Sequence, residues 1–152
     1  MTWFEARRES HAVVPAERAA VWGVLTDPSA LARLTPLVES IEADGELWHW
    51  KLSGLSVLGK DLAPSFTERM SLSPQERIDF THDPQGKEKA GSEGTYELSD
   101  ADGGTSLRID LTVKVDLPLP GLSRGAVRAT MNGVIAQMGN GFADNLAKEL
   151  GY

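Results

Sequence analysis

Cysteine is absent from this 152-residue chain, so neither disulfides nor thiolate metal sites contribute to it. Histidine is scarce. His11, His49 and His82 are widely spaced, and no two stand four residues apart as a helical metal-binding pair would. No acidic run has the spacing of a calcium loop. Neither a metal nor a cofactor is therefore expected. No apolar run approaches the ~20 residues that a membrane-crossing helix requires, and Met1 to Glu9 lack the apolar segment of a signal peptide. Positive charge is in deficit. With 15 Lys and Arg against 22 Asp and Glu, the net charge of −7 opposes non-specific binding to nucleic acids or anionic lipid surfaces. These absences leave the expectation of a soluble, cytoplasmic domain without a nucleic-acid partner or a transmembrane segment; a homodimer is compatible with it.

What remains is strongly patterned. Hydrophobic residues make up 41% and charged residues 24%, as in folded domains, and the length suits a single domain over residues 1–152. The last thirty-two residues, Gly121 to Tyr152, carry one apolar stripe: Val127, Met131, Val134, Ile135, Met138, Phe142, Leu146 and Leu150. Steps of three and four keep this stripe on one face of a long helix, with Gly133, Gln137, Asn140, Asp144 and Lys148 opposite. Just before it, Leu107 to Leu117 alternates apolar and polar residues without a slip, the pattern of a strand with one buried and one wet face.

The other elements follow from turn and breaker signals. Residues 2–14 predict a strand that stops at Pro15, and Ala16 to Leu25 a short helix ended by Asp27-Pro28. Ser29 is placed to cap a second short helix through Leu34. Strands are expected over 38–43, 46–53, 60–72, 76–82, 92–99 and 105–117, with Gly54 to Gly59 read as a turn. Runs of strands without intervening helices mean an antiparallel sheet, so the fold class is α+β. A long helix across such a sheet either closes a core or encloses a cavity.

Two strings imitate catalytic motifs. Gly121-Leu122-Ser123-Arg124-Gly125 matches G-x-S-x-G, but all three histidines precede Ser123 and a nucleophile elbow requires a parallel sheet. Gly54 to Lys60 comes close to a phosphate-binding loop, yet Asp61 stands where the hydroxyl is needed and a strand with Pro64 follows. Neither carries a reading.

Strand parity gives the candidate site. Trp48, Trp50 and Leu52 share one face, as do Leu62, Phe66, Met70 and Leu72; Ile78, Phe80 and His82; and Gly94, Tyr96 and Leu98. With Met131, Ile135 and Met138 of the helix, these aromatics and methionines suit an adaptable apolar pocket. Three polar residues fall on inward faces. Glu68 shares parity with Phe66 and Met70, so its carboxyl must be paired or have a raised pKa. His82 follows Ile78 and Phe80 near a strand end. Arg128 stands beside Met131 and Ile135, with Arg124 one turn earlier, where a guanidinium clamps a ligand carboxylate. The competing structural readings are a Glu68–Arg128 salt bridge, a bulge that turns Glu68 outward, and an arginine that reaches solvent. Of the helix glycines, Gly139 is on the inward side and leaves room there, whereas the pattern gives no reason for Gly133 or Gly141.

The order of elements, together with several strings, resembles the SRPBCC superfamily of START-like proteins. The strings are Val14-Pro15-Ala16-Glu17-Arg18 leading to Val21-Trp22, Leu25-Thr26-Asp27-Pro28, Leu34-Thr35-Pro36, and Phe66 to Met70 followed by Ser73-Pro74. Ile78-Asp79-Phe80, Gly94-Thr95-Tyr96-Glu97-Leu98 and Gly104-Thr105 complete them before the terminal helix. The resemblance implies a helix-grip fold: a seven-stranded curved antiparallel sheet wrapped around a long C-terminal helix, with two short helices after the first strand. It also implies a cavity between sheet and helix that binds a small hydrophobic or amphipathic molecule such as a lipid, quinone or polyketide. Two alternatives stay open. One is a polyketide cyclase or aromatase with Glu68 and His82 as acid and base; the other is a co-chaperone-like interaction module with a filled interior. The binding and enzyme readings both require a cavity of roughly 300 Å³ or more.

Overall fold

The computed structural model describes residues 2–151; Tyr152, the last residue of the predicted helix, and Met1 lie outside them. Strand β1 (Thr2–Val14) leads to helices α1 (Arg18–Leu25) and α2 (Pro28–Leu34). Strands β2 (Val38–Asp44) and β3 (Leu47–Leu52) follow, then β4 (Leu55–Val57), β5 (Lys60–Leu62), β6 (Ser65–Ser73) and β7 (Arg77–His82). The chain ends with β8 (Ala90–Ala101), β9 (Gly104–Leu117), a short 3-10 turn (Gly121–Ser123) and helix α3 (Arg124–Glu149). Seven strands form one antiparallel sheet in the order β1-β9-β8-β7-β6-β3-β2, as expected for the helix-grip architecture. No α-helix among the described residues is long and apolar enough to cross a membrane.

Two local expectations are corrected. Asp27, not Ser29, caps α2: its carboxylate accepts from Ser29 N at 3.1 Å and Ala30 N at 3.4 Å, with Pro28 in the first helical turn. The predicted strand 60–72 is two strands. Pro64 has no N–H for a ladder, so pairing with β3 begins at Ser65. The segment before it folds back as a separate β4–β5 hairpin, whose turn residues Leu58 (φ 50°) and Gly59 (φ 79°) are both left-handed. The turn expected over Gly54 to Gly59 is thus confined to Leu58 and Gly59, with Leu55–Val57 in strand β4; leucine is uncommon in the left-handed conformation, so the sequence did not single out Leu58.

The core falls into two clusters. Phe142 and Leu146 of α3 join the larger one, which holds α1, α2, Trp48, Met70, Ile78 and Leu98. Val127, Met131 and Ile135 join a smaller one with Phe4, Ala6, Val57, Val115 and Leu117. Position along the helix therefore decides which half of the sheet it holds.

Gly141, unexplained by sequence, stands where α3 crosses the chain entering β2. A Cβ there would overlap Pro36 Cγ, and four residues on Asn145 Nδ2 donates to Leu34 O at 2.9 Å. Gly141→Ala is expected to destabilise by about 1–2 kcal/mol, because overpacking exceeds the gain in helix propensity. Gly133, with open space around it, gives the contrast: Gly133→Ala should stabilise by about 0.5–1 kcal/mol. Thermal melts of the pair check this; shifts of the same sign would remove the crossing as the reason for Gly141.

Candidate functional site

A cavity of about 190 Å³ lies between the two clusters, enclosed by the sheet, α3 and the β4–β5 hairpin. Of the residues singled out from sequence, Trp50, Phe66, Glu68, Phe80, Tyr96, Met131, Ile135 and Met138 line it. Their rings also partly fill it. Trp50 stacks on Phe66 with centroids 5.9 Å apart, and Phe80 meets Tyr96 at 5.1 Å. The space left is below the roughly 300 Å³ expected of a ligand site, yet a dry apolar cavity of about 150 Å³ already admits benzene.

Trp48, His82 and Arg128 stand outside the lining. Trp48 is buried in the larger core cluster. Arg128 is exposed, and its Nε donates to Glu5 O at 3.3 Å, because one step beyond Val127 turns it off the buried stripe toward β1. Arg124 is exposed as well. No Glu68–Arg128 salt bridge forms.

His82 is drawn away by the way the sheet opens. The β7–β8 ladder ends at Phe80–Gly94, whereas β8 continues along β9 to Ala90–Val115. Into this gap folds the segment 83–89. His82 Nε2 lies 2.9 Å from Glu88 Oε1, and its ring packs against Gly91, where a Cβ would overlap it. The Glu88 carboxylate also accepts from Thr67 N at 2.9 Å, Thr67 Oγ1 at 2.7 Å and Gln85 N at 3.1 Å. Partial burial raises its pKa, but the bonds from Thr67, His82 and Gln85 outweigh that and hold it below the ordinary carboxylate value. Glu88 thus replaces the missing strand pairing.

The same gap lets β8 approach β6. Ser92 Oγ donates to Glu68 Oε1, the single hydrogen bond of that carboxyl among the described residues. Glu68 is 3% exposed, and burial pushes its pKa up to about 8, against the opposing influence of Ser92 and Trp50. At neutral pH it is an uncharged acid. Burial and the nearby Glu68 also raise the pKa of Tyr96.

Two parts of the lining were missed from sequence although the signal was present. Ser92 has the parity of Gly94 and Tyr96. On β1, Arg8 and Ser10 continue the face of Phe4 and Ala6, and with the exposed Gly139 they bring the cavity to the surface. Arg8 makes no ion pair among the described residues, while its neighbour Arg7 is held by Asp110 at 2.7 Å and Glu9 at 2.6 Å. The hairpin residues Leu55, Val57 and Leu62 complete the wall; parity marked Leu62 alongside Phe66, but no periodicity marked Leu55 or Val57. Among the described residues, no group of three or more His, Asp or Glu is arranged to hold a metal.

Solved structures share this architecture along nearly the whole chain. A protein named TTHA0849 from Thermus thermophilus is 21% identical, with a TM-score of 0.66, covering 95% of this chain and 98% of its own. The Zhui aromatase/cyclase from Streptomyces sp. R1128 is 18% identical, with a TM-score of 0.67 over 96% and 93% of the two chains. A START superfamily protein from Mycobacterium smegmatis is 15% identical, with a TM-score of 0.69 over 95% and 96%. At these identities they establish the fold alone. No curated protein matches the chain. The family model described as polyketide cyclase / dehydrase and lipid transport matches residues 5–151. By that match, the chain belongs to the polyketide cyclase / dehydrase and lipid transport family.

Proposed function

We propose that this protein binds one small, mainly apolar molecule, of about one or two rings, in the cavity between its sheet and α3. The observation that carries this is an interior divided into two packed clusters, with an apolar space between them that reaches the surface beside Arg8. A continuous core would have closed that space, since voids cost stability without an occupant. Met131 and Met138 have the rotamer freedom to adjust to different shapes. A longer lipid would require the β4–β5 hairpin to move. The position of His82 against Glu88 argues against Glu68 and His82 serving one substrate as acid and base, so binding is favoured over catalysis by that pair.

Ligand-observed NMR with toluene tests this reading. Toluene should bind the wild type, and Val134→Trp, which puts an indole into the cavity from half-exposed α3, should weaken binding at least tenfold with little change in thermal midpoint. A wild type that binds neither toluene nor other small aromatics would leave the interaction-module reading in its place.

A further inference from the structure

The cavity wall is mainly apolar, and where Glu68 and Trp50 meet it carries an excess of hydrogen-bond donors. Trp50 is 8% exposed, and its indole Nε1 is buried without a hydrogen-bond partner. It lies close enough to Glu68 to favour the ionised carboxyl, yet short of a completed bond. Glu68 accepts from Ser92 through Oε1, which leaves Oε2 without a protein partner. An uncharged carboxyl carries one O–H, so two donors, Glu68 O–H and Trp50 N–H, stand close together in the lining of one mainly apolar space. Buried donors left unmatched are costly, and an acceptor brought by a ligand relieves both at once.

We infer that Glu68 and Trp50 form a two-donor subsite for one uncharged carbonyl oxygen, so that the ligand is a small apolar ketone, quinone or aromatic aldehyde rather than a plain hydrocarbon. A carbonyl oxygen has two lone pairs in one plane, and each donor takes one. This deepens the binding function proposed above and rests on it. The other charged or titratable groups on the cavity wall are Tyr96 on β8, Arg8 on β1 and Lys114 on β9. Of these Tyr96 stays neutral well beyond neutral pH, its pKa raised by burial and by Glu68. Ionisation of Glu68, at about pH 8, removes one donor and turns it into an acceptor that repels the carbonyl.

The test compares acetophenone with α-methylstyrene, which has the same shape with a methylene in place of the carbonyl oxygen. At neutral pH the wild type should bind acetophenone roughly tenfold more tightly, as expected for two hydrogen bonds to neutral partners. That preference should vanish in Glu68→Leu, fall in Trp50→Phe, persist in Glu68→Gln, whose amide still donates, and decline in the wild type above about pH 8. If the leucine or phenylalanine variant does not fold, the wild type decides alone: the carbonyl ¹³C resonance of bound acetophenone should move downfield, as for a hydrogen-bonded ketone. Equal binding of both compounds, with an unshifted carbonyl resonance, would overturn the subsite and leave the cavity reading intact. Failure of both compounds to bind would overturn the cavity reading itself.

Discussion

Raising the pH from 4.5 to about 8 should make the wild type steadily less stable, and Glu68→Gln should remove that slope. The folded state holds the Glu68 proton far more tightly than the unfolded chain does, because burial penalises the carboxylate. Below the unfolded pKa both states are protonated, and the group costs nothing. Between the two values the unfolded chain ionises alone and is favoured. Above the folded value the whole penalty is present, on the order of 5 kcal/mol. Glu88 acts with the opposite sign: its lowered pKa contributes stability above the ordinary carboxylate range that is lost as the pH falls through its folded value. The two carboxylates therefore act in opposite directions, Glu88 below the ordinary carboxylate value and Glu68 above it. Urea midpoints of wild type and Glu68→Gln across this range decide the matter. Parallel profiles would mean that Glu68 is hydrated or ionised in the folded protein.

Gly94→Ala should cost about 3 kcal/mol or more, lowering the thermal midpoint by roughly 10 °C. Gly94 has φ 156°, and a Cβ there would collide with the Asp110 backbone carbonyl and crowd Phe80 Cζ at 3.1 Å. Neither neighbour has room to yield, since one is backbone in β9 and the other is a buried ring. Gly103→Ala is the control: its φ of 85° imposes strain, but the space around it is open, so about 1 kcal/mol is expected. Equal effects at the two positions would remove the collision as the cause. Gly94 is also where β7 and β8 part, so its loss should disturb the approach of Ser92 to Glu68.

Much of this was legible in the order of residues. The alternation of Leu107 to Leu117 and the stripe from Val127 to Leu146 depend on periodicities that burial imposes directly, so the long strand and helix followed. The same parity put Trp50, Phe66, Glu68, Phe80 and Tyr96 on the cavity wall. It failed at His82 and Arg128, for two different reasons. His82 is directly opposite Glu68 in the ladder, and parity alone sends both inward; what turns its ring away is Glu88, six residues on across a loop with no period. Arg128 sits at the margin of the helical stripe, where a rotation of one residue separates buried from exposed. Arg8 was overlooked because β1 has mixed character, with only Phe4, Ala6 and Val14 fully buried on the inner face. The hairpin was read only as a turn over Gly54 to Gly59, because its strands β4 and β5 are three residues each, too short for alternation to show.

The space between the two clusters also sets how the molecule answers compression. Folded interiors resist pressure because they contain few voids, and unfolding eliminates whatever void volume they hold. An interior with a cavity of about 190 Å³ between its packed clusters therefore occupies more volume folded than a closed core of the same chain would. Hydrostatic pressure works against it. An occupant that displaces no ordered water would cancel that excess and leave the folded protein less compressible.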